Sequence, residues 1–310
     1  MTERRFGRFL SDMAPRGKAH GYHRWICLSG LAALPAIALL GGTWLVAYLT
    51  LHPITRSTGA SPADWPAPSY QEISFTTADG LLLRGWYLPG RGDALVIMVH
   101  GFARDRSELL PEARWLVERG YAVLLFDLRA HGSSDGSHIG LGYLEALDVV
   151  AAVDYALARS PQQRVGVMGY SLGGVAAIHA AAKDTRIQAV VAVSPFANLR
   201  DTVSYRLGLF RPLAPLVVWW GERMTGLRLD DVQPTDWVAW LSPRPILIMQ
   251  AGGDEMVPLD SGQRLFSAAG DPKELWSVPG VAHVDFRQAL PETYKQRILD
   301  FLERYLPLNQ

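Results

Sequence analysis

The chain has 310 residues, with 30 basic and 30 acidic side chains and therefore a formal net charge of zero. This balance argues against a nucleic-acid-binding protein, because that class of protein needs a basic face. A single cysteine, Cys27, excludes an internal disulfide framework and any zinc site built from several thiolates.

The first 51 residues combine a basic segment with a long apolar one. Residues 1–24 carry six basic and two acidic side chains, whereas the run from Trp25 to Leu51 has no charged side chain. As a helix this run would extend about 40 Å, more than the roughly 30 Å hydrocarbon layer of a bilayer. Because basic residues tend to stay in the cytoplasm, we predict a cytoplasmic N-terminus, 1–24, and a single-pass membrane anchor, 25–51. The rest of the chain is then expected outside the cytoplasm, in the periplasm of a Gram-negative cell.

Two other interpretations of the apolar run stay open. A cleaved signal peptide has an apolar region of only about 7–15 residues, although small residues around Ala60 would suit a cleavage site. A buried core helix is disfavoured by the length of the run and by its lack of charge. After the anchor, four prolines in residues 52–69 predict an extended linker. The remaining residues, 70–310, suit one α/β domain.

Strand-like and helix-like segments alternate from Tyr70 to the end of the chain. Strands are predicted at Glu72–Thr76, Leu81–Tyr87, Ala94–Val99, Tyr121–Phe126, Arg164–Met168, Ile187–Val193, Pro245–Gln250 and Glu274–Val278. Helices are predicted at Ser107–Arg119, Leu141–Ala158, Leu172–Ala182, Leu259–Ala268 and Asp285–Tyr305. The alternation indicates an α/β fold, a mostly parallel sheet with helices on both faces. Residues 196–241 contain no clear strand and are predicted to form a small, mainly helical cap.

The pattern Gly-x-Ser-x-Gly occurs twice, and its two copies have different surroundings. Gly132–Gly136 lies in a loop that no helix follows. Gly169–Gly173 comes directly after a strand and begins a helix, as a nucleophile elbow does. In such an elbow the flanking glycines permit a sharp turn, and the serine hydroxyl stands above the sheet edge beside the positive end of a helix. We therefore predict Ser171 as a nucleophile and Ser134 as an ordinary serine.

A serine nucleophile needs a base, and the base needs an acid that orients it. After this type of elbow the acid comes next in the chain and the histidine last. Two of the eight histidines follow Ser171, and His179 lies in the same helix as the serine, so we predict His283 as the base. Asp254 follows the predicted strand that precedes this histidine's strand and is the expected acid.

An oxyanion hole requires two backbone N–H groups that point at the developing negative charge. One is expected from Leu172, directly after the serine. The other is expected from Phe102, in the turn after the third strand, where Gly101 lets the backbone approach a substrate. His100, in the same turn, is interpreted as a structural residue.

Together these segments resemble the α/β-hydrolase family, in the branch of serine aminopeptidase-like and bacterial BEM46-like hydrolases. The resemblance covers about residues 70–306. The motifs that carry it are His100–Phe102, Asp127–Ser133, Gly169–Gly174, Gly253–Asp254 with Val257–Pro258, and Gly280–His283. It implies a catalytic triad of Ser171, Asp254 and His283, but it does not identify a substrate. Ala130 stands where such families often have glycine, a departure that concerns loop packing.

The combined prediction is a membrane-anchored serine hydrolase that cleaves carboxylic esters through an acyl-enzyme. Two alternatives stay open, namely a peptidase that releases short N-terminal residues and a non-enzymatic binding protein on the same fold. The apolar part of the cap, which includes Trp219 and Trp220, is expected to cover the site or to rest on the bilayer.

The expected partners are a small ester or acyl substrate and the membrane, not nucleic acid. The sequence contains no nucleotide-binding loop, and no cofactor is expected. A metal site is not expected either, although one loop contains four side chains of ligating types: Asp127, His131, Asp135 and His138.

Overall fold

A computed structural model describes residues 19–66 and 69–309 of the protein, with side chains from Leu34 onward. Most of the basic segment 1–24 lies outside the described residues. At the centre of the described chain is an eight-stranded sheet in the order β1-β2-β4-β3-β5-β6-β7-β8. The strands are β1 (Gln71–Thr76), β2 (Leu82–Leu88), β3 (Ala94–Val99), β4 (Ala122–Phe126), β5 (Arg164–Tyr170), β6 (Ile187–Val193), β7 (Ile246–Ala251) and β8 (Lys273–Val278). Strand β2 is antiparallel to both of its neighbours and the other pairs are parallel, which confirms the mostly parallel sheet.

The burial of the strands follows their place in the sheet. Strands β3 and β7 lie in the parallel part and are buried at every residue, because helices cover both of their faces. Strand β1, at one edge, alternates instead, with Ile73 and Phe75 turned into the core. The carboxyl ends of the parallel strands meet at one edge of the sheet, where ligands bind in open α/β folds.

Helices cover both faces of the sheet, as predicted. In the described chain they are α1 (Ala19–Leu51), α2 (Leu110–Arg119), α3 (Glu145–Arg159), α4 (Leu172–Lys183), α5 (Leu199–Leu207), α6 (Ala214–Thr225), α7 (Pro234–Val238), α8 (Ser261–Ala268), α9 (Phe286–Ala289) and α10 (Pro291–Tyr305). Helices α3, α4 and α8 belong to the hydrophobic core on one face, and α2 and α10 to the core on the other.

Two predicted helices differ from those of the structure. The helix predicted from Leu141 begins at Glu145, because Leu141 and Gly142 have positive φ angles that a helix cannot continue. The buried carboxylate of Glu145 accepts hydrogen bonds from the N–H groups of Gly140 and Gly142 (2.7 and 2.6 Å) and so fixes this entry. The helix predicted over Asp285–Tyr305 is two helices, and the second begins with a proline, which suits the first turn of a helix.

The segment between β6 and β7 forms the predicted helical cap. It contains α5, a 3₁₀ turn at Gly208–Leu213, α6 and α7. Helix α6 turns Val217 and Val218 inward, whereas Trp219 is 41% exposed and stacks with the guanidinium of Arg223 (4.9 Å). The inward face of α6 is therefore aliphatic and does not include Trp219, whereas Trp237, in α7, is buried in the core.

Helix α1 begins at Ala19, six residues before the predicted anchor, and ends at Leu51 as predicted. Its residues Leu34–Leu51 are apolar and long enough to cross a membrane, and most of their side chains are exposed. Three side chains are buried, at a spacing of four residues, and therefore on one face: Thr43, Ala47 and Leu51. The helix packs along α6, and small residues on a helix face permit such close approach.

The segment after α1, predicted as an extended linker, contains one short 3₁₀ helix (Pro62–Asp64) and is attached to the domain. The Arg56 N–H donates to the Ala103 carbonyl (2.9 Å). The Thr58 hydroxyl donates to the hydroxyl of Ser107 (2.7 Å), and the Gly132 N–H donates to Thr55 Oγ1 (3.0 Å). These bonds hold residues 55–58 against the loops at the carboxyl ends of β3 and β4, so this part is not a free spacer.

Candidate active site

Ser171 lies in the sharp turn between β5 and α4. Its φ of 49° and ψ of −111° place it outside the regions that side chains ordinarily allow. A Cβ atom at Gly169 would lie 2.2 Å from the Gly173 carbonyl oxygen, and one at Gly173 would lie 2.2 Å from that of Val99. Only glycine fits both positions, and the resulting close packing holds Ser171 in a strained conformation of the kind that clusters at active sites.

Asp254 and His283 meet at the carboxyl ends of β7 and β8. His283 Nδ1 lies 2.6 Å from Asp254 Oδ2, and since a carboxylate only accepts, this ring nitrogen is the donor. The other carboxylate oxygen accepts from the N–H groups of Met256 and Val257 (2.8 and 2.9 Å), which fixes the carboxylate. Asp254 is 2% exposed. The imidazole is therefore held in the tautomer whose Nε2 can accept a proton.

Phe102 and Leu172, the residues expected to supply the oxyanion N–H groups, both line one cavity. Neither the Phe102 nor the Leu172 N–H has an acceptor within the described part of the chain. The neighbouring groups are bonded: the Gly101 N–H donates to Glu108 Oε2 (2.7 Å), and the Ala103 N–H donates to His131 Nε2 (3.2 Å). Both sides of Phe102 are thus anchored by buried polar side chains.

One cavity of about 660 Å³ brings these groups together. Its walls include Ser171, Leu172, Phe102 and His283, so the predicted nucleophile, base and both N–H donors share one space. The cap contributes Val203 and Arg206 among others, and the end of α1 with the segment after it contributes a further wall: Leu49, Thr50, His52, Pro53, Ile54 and Arg56.

Several other candidate residues from the sequence have contacts that indicate a role in the fold rather than in catalysis. His179 is buried in α4 and stacks on Trp237 at 3.8 Å. His100 Nε2 accepts from the Leu128 N–H (3.0 Å), as expected for a structural residue of the turn. The four-residue set that contains His131 and His138 does not form a metal cluster, and no group of three or more ligating side chains does so among the described residues.

Glu108 and His131 hold the turn that carries Phe102, a role that the sequence patterns did not predict. Burial lowers the pKa of His131 to about 3 and that of His100 to about 4, so both rings are neutral acceptors at neutral pH. Burial also raises the pKa of Glu108, and its bond from the Gly101 N–H opposes that rise. The sequence does contain a signal for this role. The turn His100–Ala103 follows a buried strand, and Glu108 and His131 come after it with no other role assigned to them.

Comparisons with known proteins agree with this geometry. The sequence profile of the family described as serine aminopeptidase, S33, matches residues 90–242. An uncharacterized Mycobacterium tuberculosis protein is 30% identical over 288 residues, 89% of this chain and 92% of its own length. The Pyrococcus furiosus esterase Pf2001 superimposes with a TM-score of 0.72 at 28% identity, over 83% of this chain and 98% of that one.

The chain belongs to the α/β-hydrolase family. A polyketide transferase from a Penicillium species, 28% identical over 286 residues and 76% of this chain, also lies among its relatives and has 96% of its own length matched. Its relatives thus include one protein named an esterase and one named a polyketide transferase, and the comparisons support the fold and the hydrolase class. The substrate has to be argued from the site of this chain.

Proposed function

We propose that this hydrolase is a membrane-anchored serine esterase with Ser171, His283 and Asp254 as its triad. The observation that carries the proposal is the shared cavity. Ser171, which has a strained backbone and a hydroxyl with no hydrogen-bond partner among the described residues, lines it together with His283, whose imidazole is fixed by a buried carboxylate. His283 Nε2 takes the proton of the Ser171 hydroxyl as the oxygen attacks the ester carbonyl. The N–H groups of Phe102 and Leu172 bind the resulting oxyanion.

The second half of the reaction restores the enzyme. The imidazolium gives its proton to the leaving alcohol, and the acyl group stays on Ser171 as an ester. His283 then takes a proton from water, the hydroxide attacks the acyl carbon, and the carboxylic acid leaves as the serine regains its proton. Asp254 keeps Nδ1 protonated throughout and so keeps Nε2 available for both transfers.

The charges of the cavity favour an ester over the N-terminus of a peptide. Its walls carry three arginines, Arg56, Arg104 and Arg206, against two acidic residues, Glu108 and Asp285. Glu108 is already bonded to the Gly101 N–H and paired with Arg104 (3.4 Å). A cationic α-amino group would therefore meet excess positive charge, which disfavours the aminopeptidase function that the family description suggests.

Reaction with a fluorophosphonate tests the nucleophile. The full chain in detergent is expected to form one covalent adduct on Ser171, and Ser171→Ala is expected to abolish the adduct while the far-ultraviolet spectrum stays unchanged. Ser134→Ala serves as the matched control, because it removes the serine of the other Gly-x-Ser-x-Gly segment. An adduct that persists in Ser171→Ala would contradict the assignment.

A substrate panel tests the bond that is cleaved. We expect kcat/KM for p-nitrophenyl esters to exceed that for aminoacyl p-nitroanilides by at least about a hundredfold, since the cavity repels the α-ammonium group. A preference for the anilides would replace the esterase by a peptidase. Labelling of Ser171 without hydrolysis of either series would instead favour the binding protein.

The proposed anchor is α1, because it is apolar over Leu34–Leu51 and its last turns belong to the folded domain. Cleavage near Ala60 would remove Leu51, a core residue, and the walls of the cavity at 49–56. The mature protein is therefore expected to retain its N-terminus and to resist extraction with alkaline carbonate. A mature chain that begins near Ser61 would show a signal peptide instead.

The proposed orientation places the domain after Leu51 outside the cytoplasm. Protease added to the outside of intact spheroplasts is expected to digest this domain, whereas a tag at the N-terminus survives. Protection of the domain until the membrane is opened would reverse the orientation and leave the esterase proposal intact.

A further inference from the structure

A second cavity, of about 180 Å³, lies between α1 and the cap. Helix α1 contributes Val46 and Ala47 to its wall, and α6 contributes Val217, Val218 and Gly221. The remaining walls come from α5 and from the chain on either side of these helices, and they are mostly aliphatic. Thr50 also faces it, but its hydroxyl already donates to the Val46 carbonyl (2.8 Å) and needs no partner in the cavity.

This second cavity adjoins the one at Ser171, because five residues line both. The residues that line both are Thr50, Leu141, Leu199, Val203 and Arg206. The first cavity holds the polar catalytic groups and three arginines, whereas the wall of the second is mostly aliphatic and also includes Arg206. A molecule that occupies both must therefore have a polar reacting group and an apolar tail.

We propose that the second cavity binds the acyl chain of the ester whose carbonyl lies at Ser171, and that α1 supplies one wall of this acyl site. The inference rests on the proposed esterase function. An apolar cavity of about 150 Å³ stays dry and binds benzene, so this one takes roughly six carbon atoms. The preferred substrate class is thus an ester with a medium-length acyl chain, and the anchor helix determines specificity as well as location.

Gly221 offers a direct way to fill the acyl site. A Cβ atom there would have Leu229 Cδ1 as its nearest neighbour, at 3.8 Å, so a side chain at this position extends into open space beside a wall of the cavity. Gly221→Leu also replaces a poor helix former by a good one, which favours a folded cap. Val218→Ala is the opposite change, because it removes two methyl groups from the wall.

The first experiment measures kcat/KM for p-nitrophenyl esters from acetate to dodecanoate with the full chain in detergent. In the unmodified protein kcat/KM is expected to rise about fourfold for each added methylene until the site is full. Gly221→Leu is expected to lower the octanoate-to-acetate ratio at least tenfold, and Val218→Ala is expected to move the optimum to a longer chain. Trp219→Leu, on the outer side of α6, is the control and is expected to keep the original profile.

The second experiment locates the chain directly. An alkyl fluorophosphonate with an eight-carbon chain that ends in a diazirine is attached to Ser171 and then photolysed. Crosslinks are expected in residues 46–51 and 217–221, the two helices that face each other across the cavity. Crosslinks confined to other segments, or a flat chain-length profile, would overturn the acyl site while the esterase stands. Failure of the probe to label Ser171 would overturn the proposed function itself.

Discussion

The segments Gly132–Gly136 and Gly169–Gly173 have the same pattern, yet their serines have opposite surroundings. The Ser134 hydroxyl donates to the Asp127 carbonyl (2.6 Å) and accepts from the Arg84 N–H (2.9 Å), so it joins a loop to β2. The Ser171 hydroxyl has no partner in the described part of the chain, and its backbone is strained. A hydroxyl that both donates and accepts a hydrogen bond stabilises the fold. A hydroxyl without such partners beside a cavity is available for chemistry.

The difference arises from the chain on the C-terminal side of each serine. After Ser171 the chain enters α4 at once, and the close approach of Gly173 to Val99 leaves no room for a loop that could bond to the hydroxyl. After Ser134 the chain continues in a turn, and Ser134 lies close to the end of β4. The spacing of glycines therefore has meaning only together with the elements on each side of it.

The strongest test of this comparison replaces each serine in turn. Ser171→Ala is expected to lower kcat for p-nitrophenyl hexanoate by at least about 10⁴-fold, because it removes the attacking oxygen. Ser134→Ala is expected to keep kcat within about threefold but to lower the free energy of unfolding by about 1–3 kcal/mol, because two partners lose their bonds. Comparable kinetic losses in the two variants would remove the distinction between them.

A second test concerns the group that orients His283. Asp254→Asn is expected to lower kcat by roughly 10³–10⁴-fold, since the amide favours the imidazole tautomer with the proton on Nε2. The fluorophosphonate should label this variant at a correspondingly reduced rate. The variant Asp260→Asn, in the exposed segment before α8, is the matched control and is expected to react at the normal rate.

A third test weakens the turn beside the nucleophile without touching the reacting atoms. Glu108→Ala removes the acceptor of the Gly101 N–H, and the turn that positions the Phe102 N–H loses this support. We therefore expect kcat to fall about tenfold to a hundredfold with little change in KM. Glu108→Gln retains an acceptor oxygen and is expected to recover most of this loss. Equal losses in both variants would mean that the charge, rather than the hydrogen bond, matters.

The last test concerns a pH dependence of stability that originates in the turn with His100 and in the loop with His131. His131 and His100 have folded-state pKa values of about 3 and about 4, below the ordinary 6.5. As pH falls below about 6.5 the unfolded chain binds a proton at each histidine and the folded chain does not. Each therefore lowers the free energy of unfolding by about 1.4 kcal/mol per pH unit until its folded-state pKa is reached.

Replacing one of these histidines isolates its contribution to the dependence of the free energy of unfolding on pH. His131→Gln keeps an acceptor for the Ala103 N–H but does not titrate, so urea unfolding between pH 4.5 and 6.5 is expected to show a slope reduced by about 1.4 kcal/mol per pH unit. Replacement of half-buried His52, which lies outside both of these segments, is the comparison. An unchanged slope in His131→Gln would show that the ring is already protonated in the folded protein.

Much of the fold is predictable from local patterns in the sequence. All eight strands lie within a few residues of their predicted positions, because a buried strand needs a continuous apolar run and the turns between them contain glycine or proline. The elbow is predictable for the same reason, since its glycines, strand and helix are neighbours in the chain. The contact between Asp254 and His283 depends on the order of the strands in the sheet, which the family resemblance supplied. The catalytic roles of these two residues stay a prediction.

The parts that escaped prediction depend on contacts between distant segments. Nothing local to Thr43, Ala47 and Leu51 indicates that this face packs on α6 rather than on lipid. The inward direction of Val218 instead of Trp219 depends on the exact rotation of α6, which a uniformly apolar stretch does not specify. The attachment of residues 55–58 depends on backbone groups and threonine hydroxyls that bond to distant loops, and no local pattern in the sequence indicates these partners.

The contact between α1 and α6 also has a consequence for the order in which the protein is made. The ribosome synthesises Ala47 roughly 170 residues before Val218, an interval of about 10–30 seconds at ordinary rates of translation. During that interval the face of α1 that will meet the cap has no protein partner. If α1 is the proposed anchor, it has to enter the membrane or be held by a chaperone first, and the proposed acyl site forms only when the cap arrives.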